Sequence, residues 1–437
     1  MTLTTQRLRL PLAIIALVLV ASAPGCNDAP TTIGSDYLPE NVEFRNLTLG
    51  PGNFSVTSGI STLSNNSSEG GTGVLVGRAP DGSVAHGLLA FTTSSTVLTG
   101  SAAQPVTAAS LALRSYGYIY GDTAAKSTSF DVVVLDGTMS QNAQFSPPLV
   151  TAIESAPTLG TFTGAVPKTG AINVTLDAAS TQAFLRSYLQ FDTVNGVPRT
   201  TVLKHLALRA RSDAGSVAGF IGVTFLGLAD SMKPTLNVTA GTNSVQLRSE
   251  VASWIGSLPL APGPGKFMVA GGAPIRSHLR IRLDSLPTNA VIHKAELLLH
   301  VDTANSRGGT MGIPTYFVAF LSDDSTAAST TFRTGSASFI VGNRLVADTL
   351  HFSDVVSFPT IGPVITTWAR SRRAGDTVKR LLPNNGLILA LNRNTSNNAD
   401  QESASLDRVV FFGPDAADPA LRPSLKITYS ILRADAQ

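Results

Sequence analysis

Most of the chain alternates apolar and polar residues in short runs, which glycine, proline, asparagine and aspartate separate. Alternation with a period of two and enrichment in β-branched residues predict half-buried β-strands. Residues 130–135 and 316–321 are two such runs. We predict one short helix in each half, at residues 178–189 with Asp177 as its N-cap and at residues 363–372. Many strands with few helices predict an all-β protein built from antiparallel β-sandwiches of the jelly-roll kind.

The two halves of the chain contain similar segments in the same order. One such match is weak, but four in order at similar separations indicate an internal repeat. The matched pairs are residues 106–113 with 292–299, 206–209 with 389–392, 223–227 with 409–413, and 233–239 with 422–428. We therefore predict two tandem β-sandwich domains, at residues 43–241 and 242–432.

Residues 1–25 have the pattern of a secretory signal. Arg7 and Arg9 precede a short apolar run, and small residues follow it. The run is shorter than the roughly 20 apolar residues that a membrane-spanning helix needs. The sequence thus predicts export.

Cys26 is the single cysteine of the chain and directly follows this signal. Residues 23–26 resemble the end of a lipoprotein signal, in which the cysteine takes a diacylglyceryl group and becomes the mature N-terminus. The alternative is an ordinary cleaved signal with an incidental cysteine. The resemblance implies a membrane anchor on Cys26, at the outer membrane or cell surface, and residues 26–42 are predicted to be a flexible tether.

The composition narrows the classes of partner. Charged residues make up 14% of the chain and the formal net charge is +3, against about a quarter charged residues in ordinary proteins. So small a net charge on a chain of this length predicts no nucleic-acid partner. One cysteine also excludes an intramolecular disulfide.

The succession of motifs in the second half resembles a known module. It comprises residues 279–287, 290–299, 364–368, 384–389 and 423–429, and the first half shows a similar opening at residues 73–77 and 87–91. This succession resembles the DNRLRE domain, a jelly-roll module related to the carbohydrate-binding modules of secreted bacterial proteins. Residues 32–40 resemble the start of a family of uncharacterised envelope lipoproteins. Both resemblances imply an exported β-rich protein, but their motifs are hydrophobic and turn positions and supply no binding residues.

A tyrosine-rich strand is the best candidate ligand site. Alternate residues of a strand share a face, so Arg114, Tyr116, Tyr118 and Tyr120 lie opposite the leucines of residues 111–113. If the leucine face is core, three phenols and a guanidinium line the outer face, and aromatic rings with polar tips suit stacking on sugars. The alternative is that this face packs under a loop or against the other domain.

Other candidates are weaker. The basic residues Arg370, Arg372, Arg373, Lys379 and Arg380 could contact anionic polymers or lipid head groups, or could simply be a solvated helix end. The six histidines have no metal-ligand spacing, and no metal site or cofactor is predicted. The acidic loop at residues 392–402 lacks the regular ligand spacing of a calcium loop, which leaves calcium binding open.

The sequence contains no nucleophile elbow, phosphate-binding glycine loop or zinc-binding His-Glu helix pair. We therefore predict that the protein is not an enzyme. The function we expect is a non-catalytic, lipid-anchored envelope protein that binds a glycan or envelope polymer. A structural subunit of an envelope protein assembly is the alternative, and a polysaccharide-acting enzyme comes third.

Overall fold

The computed structural model describes most of the chain after residue 41. The described residues are 42–60, 73–91, 104–122, 124, 127–135, 147–186, 193–194, 197–198, 204–223, 230–257, 262–271, 275–310, 317–321, 340–341, 354–372, 384–391 and 405–432. Cys26 and the predicted signal lie outside them, as does the predicted tether apart from residue 42.

The described residues form mainly β-strands with three α-helices. The strands are β1 (Val42–Leu49), β2 (Phe54–Ile60), β3 (Gly73–Arg78), β4 (Val84–Phe91), β5 (Val106–Gly121), β6 (Ser127–Leu135), β7 (Thr158–Ala165), β8 (Gly170–Leu176), β9 (Thr193–Val194), β10 (Val197–Pro198), β11 (Lys204–Ala210), β12 (Ser216–Ile221), β13 (Thr235–Ala240), β14 (Asn243–Ser257), β15 (Lys266–Ala270), β16 (Ile275–Ile281), β17 (Val291–His300), β18 (Phe317–Leu321), β19 (Ile340–Val341), β20 (Val355–Phe358), β21 (Leu387–Leu391), β22 (Arg408–Phe412) and β23 (Ser424–Leu432). The helices are α1 (Pro147–Ser155), α2 (Ala178–Arg186) and α3 (Gly362–Ser371).

Ten strands form the first sandwich, which we define as β3 to β8 and β11 to β14. One layer contains β8, β5 and β13, and the other contains β12, β3, β4, β11, β6 and β7. The long strands β5 and β14 run from one layer into the other: β14 pairs with β13 and then with β4. Apolar residues of both layers, such as Leu111, Phe130 and Phe220, meet in one buried core. The prediction of an all-β antiparallel sandwich is confirmed.

The second sandwich comprises β1, β2 and β15 to β23. Its layers have the orders β1-β23-β17-β20 and β19-β18-β21-β16-β15-β22, with β2 paired to β16. The inward residues Leu279, Leu297 and Ile427 are buried. The orders correspond to those of the first sandwich, since β22-β15-β16-β21-β18 matches β12-β3-β4-β11-β6.

The register of one strand pair is the same in both sandwiches. In the first, Leu236 of β13 pairs with Leu111 of β5. In the second, Leu425 of β23 pairs with Leu297 of β17, and these are the residues that the sequence repeat aligns. Each pair also shifts its register near the same aligned position, close to Val106 and Ile292. A shared register and a shared bulge support an internal duplication, because a one-residue slip would turn every side chain to the other face.

Hydrogen bonding crosses the predicted domain boundary near residue 242 twice. Strands β1 and β2, which begin the described chain, pair with β23 and β16 of the second sandwich. Strand β14, which lies beyond the boundary, pairs with β13 and β4 of the first. Strand β14 therefore completes the first sandwich from just beyond the predicted boundary, whereas β1 and β2 complete the second sandwich from the opposite side of the first in sequence.

The helices correct one expectation. Helix α2 begins after Asp177, whose carboxylate accepts a hydrogen bond from the Ser180 amide at 2.8 Å, as an N-cap does. Helix α3 buries Ile365 and Trp368, as their spacing of one turn predicts.

The prediction of one helix in each half is wrong, because the first half contains a second helix, α1, which covers the outer face of the first sandwich through Ile153. The Arg209 guanidinium donates to the Glu154 and Ala156 carbonyls at 2.9 and 3.0 Å and so secures the end of this helix.

The two sandwiches share a second buried cluster. It joins Leu75, Val217 and Trp254 of the first sandwich to Met268 and Val410 of the second. Strands β3, β4 and β12 are consequently buried on both faces. The chain from Phe44 to Ser430 forms one compact unit.

Candidate functional site

Strand β5 presents two different faces, as its alternation predicts. Leu111, Leu113 and Ile119 point into the core of the first sandwich. Tyr118 and Tyr120 point the other way, into the cluster between the sandwiches, and Tyr116 packs against it. The expectation that the three tyrosines line an open outer face is therefore wrong, because the second sandwich covers them. The exposed fractions of Tyr118 and Tyr120 are 0% and 2%.

The Tyr118 hydroxyl is hydrogen-bonded within the second sandwich. It donates to Asp407 Oδ1 at 3.0 Å and accepts from the Leu406 amide at 2.7 Å. The Gly309 amide donates to the same carboxylate oxygen at 2.9 Å. Burial, and then the charge of Asp407, raise the pKa of Tyr118 well above its ordinary value. The phenol is thus a neutral, buried link between the sandwiches and not a surface for a sugar.

Tyr116 and Tyr120 are also held by contacts with neighbouring residues. The Tyr116 ring lies over Gly73 and Gly219, where a Cβ on Gly219 would come within 2.4 Å of the ring. The Tyr120 hydroxyl donates to Asp81 Oδ2 at 2.7 Å. Burial opposes ionisation of Asp81, but the hydrogen bonds from Tyr120 and Ser83 outweigh it and the pKa of Asp81 is lowered.

Arg114 lies on the same face of β5 as the tyrosines, at the end of their row, and it borders a surface cavity. The cavity has a volume of about 230 Å³. The described residues that line it come from β5, β8, β13, β14 and the turn before β13: Ala112, Leu113, Arg114, Ala171, Ser231, Met232, Lys233, Thr235, Asn237, Gln246 and Arg248. The outer face of β5 is therefore divided, with its tyrosine end covered and its arginine end open.

Strand register explains why these residues meet. Ala112 pairs with Thr235, and Thr235 pairs with Arg248. Directly paired residues of neighbouring strands lie on the same face. The three thus form one row across β5, β13 and β14, and Arg114 lies two residues further along β5.

Three cationic side chains are among the described residues that line the cavity. Arg114 and Lys233 are half-buried, whereas Arg248 is exposed. No aspartate or glutamate is among the described residues that line the cavity, although the exposed Glu250 lies two positions beyond Arg248 on β14. Hydroxyl and amide side chains supply the remaining polar atoms, and the Thr235 hydroxyl donates to the Lys233 carbonyl at 2.9 Å. Such a set of groups can hold an acceptor-rich, negatively charged ligand.

Sequence reasoning identified Arg114 but missed Lys233 and Arg248. They lie more than 100 positions along the chain from Arg114, and only the pairing of β5 with β13 and β14 brings them together. Their positions could have been found by extending the sequence repeat into a strand register.

The remaining sequence candidates supply no second site among the residues that the structure describes. Arg372 donates to the carbonyls of Leu283 and Leu286, the latter at 2.9 Å, and so ties the end of α3 to the loop before β17. Arg370 lies in the last turn of α3, and Arg373, Lys379, Arg380 and the acidic loop lie outside the described residues. Within the described part of the chain, no group of three or more potential metal ligands occurs. No helix among these residues is long and apolar enough to cross a membrane.

Comparisons with known proteins do not assign the chain to a family. No family model matches it, and no curated protein does. Among solved structures, the C-terminal domain of the Streptococcus agalactiae AgI/II polypeptide BspA aligns over 82% of this chain and 89% of its own, with 8% identity and a TM-score of 0.17. A structure named BspA_C_mut aligns over 84% and 91%, with 9% identity and the same score. Scores this low establish no shared fold.

Proposed function

We propose that the protein is an exported, lipid-anchored component of the bacterial envelope that binds a glycan or envelope polymer without catalysis. The single observation that carries this proposal is the polar cavity beside Arg114, on the open part of a sheet whose other end is covered. The signal-like segment before Cys26 and the all-β sandwich architecture support it.

Binding is tested with the purified full chain in detergent, by affinity electrophoresis through gels that contain single polysaccharides. We expect retardation by at least one polymer and its loss in Arg114→Gln. Arg280→Gln is the matched control, because Arg280 is an exposed arginine on β16 of the second sandwich and its replacement changes the net charge equally. No retardation by any polymer, or equal loss in both variants, would contradict the proposal.

Anchoring is tested separately by metabolic labelling with a fatty acid. We expect label on the full chain and none on Cys26→Ser. Label on both proteins, or on neither, would contradict the lipid anchor while leaving the cavity proposal untouched.

The way the second sandwich is closed favours a structural subunit as a second candidate function. Strand β2 lies between the start of the described chain and the first sandwich, yet it pairs with β16 over seven residues from Ile60↔Ile275 to Phe54↔Ile281. A strand that completes a sheet distant from it in sequence can in principle complete the same sheet of another copy.

Ser58 and Ser277 offer a direct test of this candidate. They are paired across β2 and β16, and their hydroxyl oxygens are 3.0 Å apart. In a Cys26→Ser background, cysteines at both positions should form a disulfide. An assembly subunit predicts disulfide-linked dimers and larger species on a non-reducing gel, whereas a protein that closes only itself gives the monomer alone. Single-cysteine variants control for random cross-linking.

A further inference from the structure

Equivalent strands close the two sandwiches. In the first sandwich, β14 pairs with β13 and then, antiparallel, with β4. In the second, β1 pairs with β23 and β2 pairs antiparallel with β16, and β23 and β16 are the counterparts of β13 and β4. We call residues 42–60, which contain β1, β2 and the turn Pro51–Asn53 between them, the closing segment. The closing segment therefore occupies in the second sandwich the place that β14 occupies in the first.

The order of these strands along the chain shows that they are exchanged. The boundary that the sequence repeat predicts near residue 242 lies directly before β14, so each repeat consists of a closing strand region followed by the strands of one sandwich. The closing segment precedes β3 but completes the second sandwich, whereas β14 precedes β15 but completes the first. Each repeat thus gives its closing strands to the other, which is the arrangement of a domain-swapped dimer whose two chains have been joined.

The pairing of the closing segment does not depend on how the segment is connected to the rest of the chain. Strand β2 is paired with β16 over seven residues, and the Thr428 hydroxyl of β23 donates to Asn46 Oδ1 of β1 at 2.9 Å. Residues 61–72, which connect the segment to β3, take part in none of these contacts. The same segment of a second copy can therefore make identical contacts, because main-chain pairing recognises an extended strand and not its connection.

The closing segment is held less firmly than β14. The large apolar side chains that β14 buries include Leu247, Trp254 and Ile255, and Trp254 belongs to the cluster that joins the two sandwiches. Among the described side chains of the closing segment, Leu49 and Phe54 are buried. Burial of apolar area is the main favourable term in packing, so separating the closing segment from its sandwich costs less than separating β14. Exchange between copies therefore concerns the closing segment.

We propose that the protein assembles by strand exchange between copies, in which residues 42–60 of one copy complete the second sandwich of another by pairing with its β16 and β23. The partner is thus a second copy of this chain, and the exchange is the one that the two repeats already make within one chain. This inference rests on the second candidate function, a structural subunit, and deepens it by naming the exchanged segment and the surface that receives it.

The test detects pairing between copies with one cysteine on each. It uses the full chain in a Cys26→Ser background, so that the introduced cysteines are the only thiols. Ser55 of β2 pairs with Arg280 of β16, and both are exposed. One copy carries Ser55→Cys and the other, with a different affinity tag, carries Arg280→Cys. A disulfide between positions 55 and 280 of the co-expressed chains can then form only between copies.

The matched control replaces the second cysteine by Lys294→Cys, at an exposed residue of β17 that pairs with β23 and not with β2. We expect at least ~10-fold more disulfide-linked heterodimer from positions 55 and 280 than from positions 55 and 294, because a disulfide needs Cα atoms within about 7 Å. Mass spectrometry of the heterodimer identifies the linked peptides. A single chain that carries both Ser55→Cys and Arg280→Cys should form the disulfide internally, which shows that the two cysteines react when they are paired.

A second pair of positions tests whether the exchange is confined to the closing segment. Ser257 of β14 pairs with Val84 of β4. Co-expressed Ser257→Cys and Val84→Cys chains should give no heterodimer above the Lys294→Cys control, because β14 stays in its own sandwich. As much heterodimer from this pair as from positions 55 and 280 would overturn the assignment of the closing segment as the exchanged element.

The contrary outcomes separate the exchange from the function on which it rests. If light scattering shows that the Cys26→Ser protein is oligomeric but no heterodimer links positions 55 and 280, the exchange is refuted and a structural subunit with another interface remains. If the protein is monomeric and no heterodimer forms, the exchange and the structural subunit are both refuted.

Discussion

Removing the Tyr118 hydroxyl should destabilise the junction between the two sandwiches. In Tyr118→Phe the Leu406 amide loses its acceptor and Asp407 loses one of its donors. An orphaned buried N–H costs about 1–3 kcal/mol, and a hydrogen bond to a charged group is worth about 1.5–3 kcal/mol. Because phenylalanine is easier to bury than tyrosine, part of this loss is offset, and we expect a free energy of unfolding lower by about 2–4 kcal/mol.

Tyr120→Phe is the matched control. Its partner Asp81 has 23% of its side chain exposed, so water can replace the lost phenol, and we expect a loss of about 1 kcal/mol or less. The assay is urea unfolding of the full chain followed by tryptophan fluorescence. Trp254 lies in the same buried cluster as both tyrosines and reports on it directly. A change of less than ~0.5 kcal/mol in Tyr118→Phe, or equal losses in both variants, would refute the reasoning.

Two further predictions concern a glycine and a histidine. Gly219→Ala should lower the melting temperature measured by circular dichroism, because its Cβ would lie 2.4 Å from the Tyr116 ring. Gly52→Ala is the control and should leave the melting temperature unchanged, because nothing lies within 4 Å of its Cβ. Equal melting temperatures of the two variants would contradict the close contact. His86 accepts a hydrogen bond from the Ala210 amide at 3.2 Å, and burial lowers its pKa below the ordinary 6.5. As the pH falls below about 6.5 the unfolded chain takes up a proton that the folded chain resists, so stability should decrease. His86→Asn keeps a hydrogen-bond acceptor for the Ala210 amide but has no proton to take up. The difference in its free energy of unfolding between pH 7.5 and pH 5.5, measured by urea titration, should therefore be smaller than in the unchanged protein. An equal difference in both proteins would contradict this role of His86.

Much of the fold could be predicted from local patterns. Period-two alternation located β5, β6 and β18, and the start of α2 followed from Asp177. The repeat aligned Leu236 with Leu425 and Leu111 with Leu297, and the structure pairs these residues in the same register. These features depend on neighbouring residues or on a comparison of the chain with itself.

Features that depend on distant partners could not be predicted. Helix α1 begins with two prolines, and its last turn is held by Arg209, more than 50 residues away. Strands β1 and β2, which complete the second sandwich, have an ordinary strand pattern, but nothing in their sequence specifies which sandwich they join.

The candidate site was half predictable for the same reason. Alternation correctly placed Arg114 and the tyrosines on one face of β5. Whether that face is open depends on Leu406 and Asp407, which are 288 and 289 positions from Tyr118. Local sequence therefore predicts which residues of β5 share a face, whereas long-range packing determines which end of that face is accessible.

Chemical labelling of the full chain with and without a bound polymer tests the divided face of β5 most directly. Tyrosine nitration and lysine acetylation, mapped by mass spectrometry, should leave Tyr118 and Tyr120 unmodified under both conditions. Lys233 should be acetylated in the free protein and protected when the polymer is bound. Nitration of Tyr118 and Tyr120 that the polymer suppresses, with Lys233 unaffected, would show that the tyrosine end binds the ligand and would contradict the account.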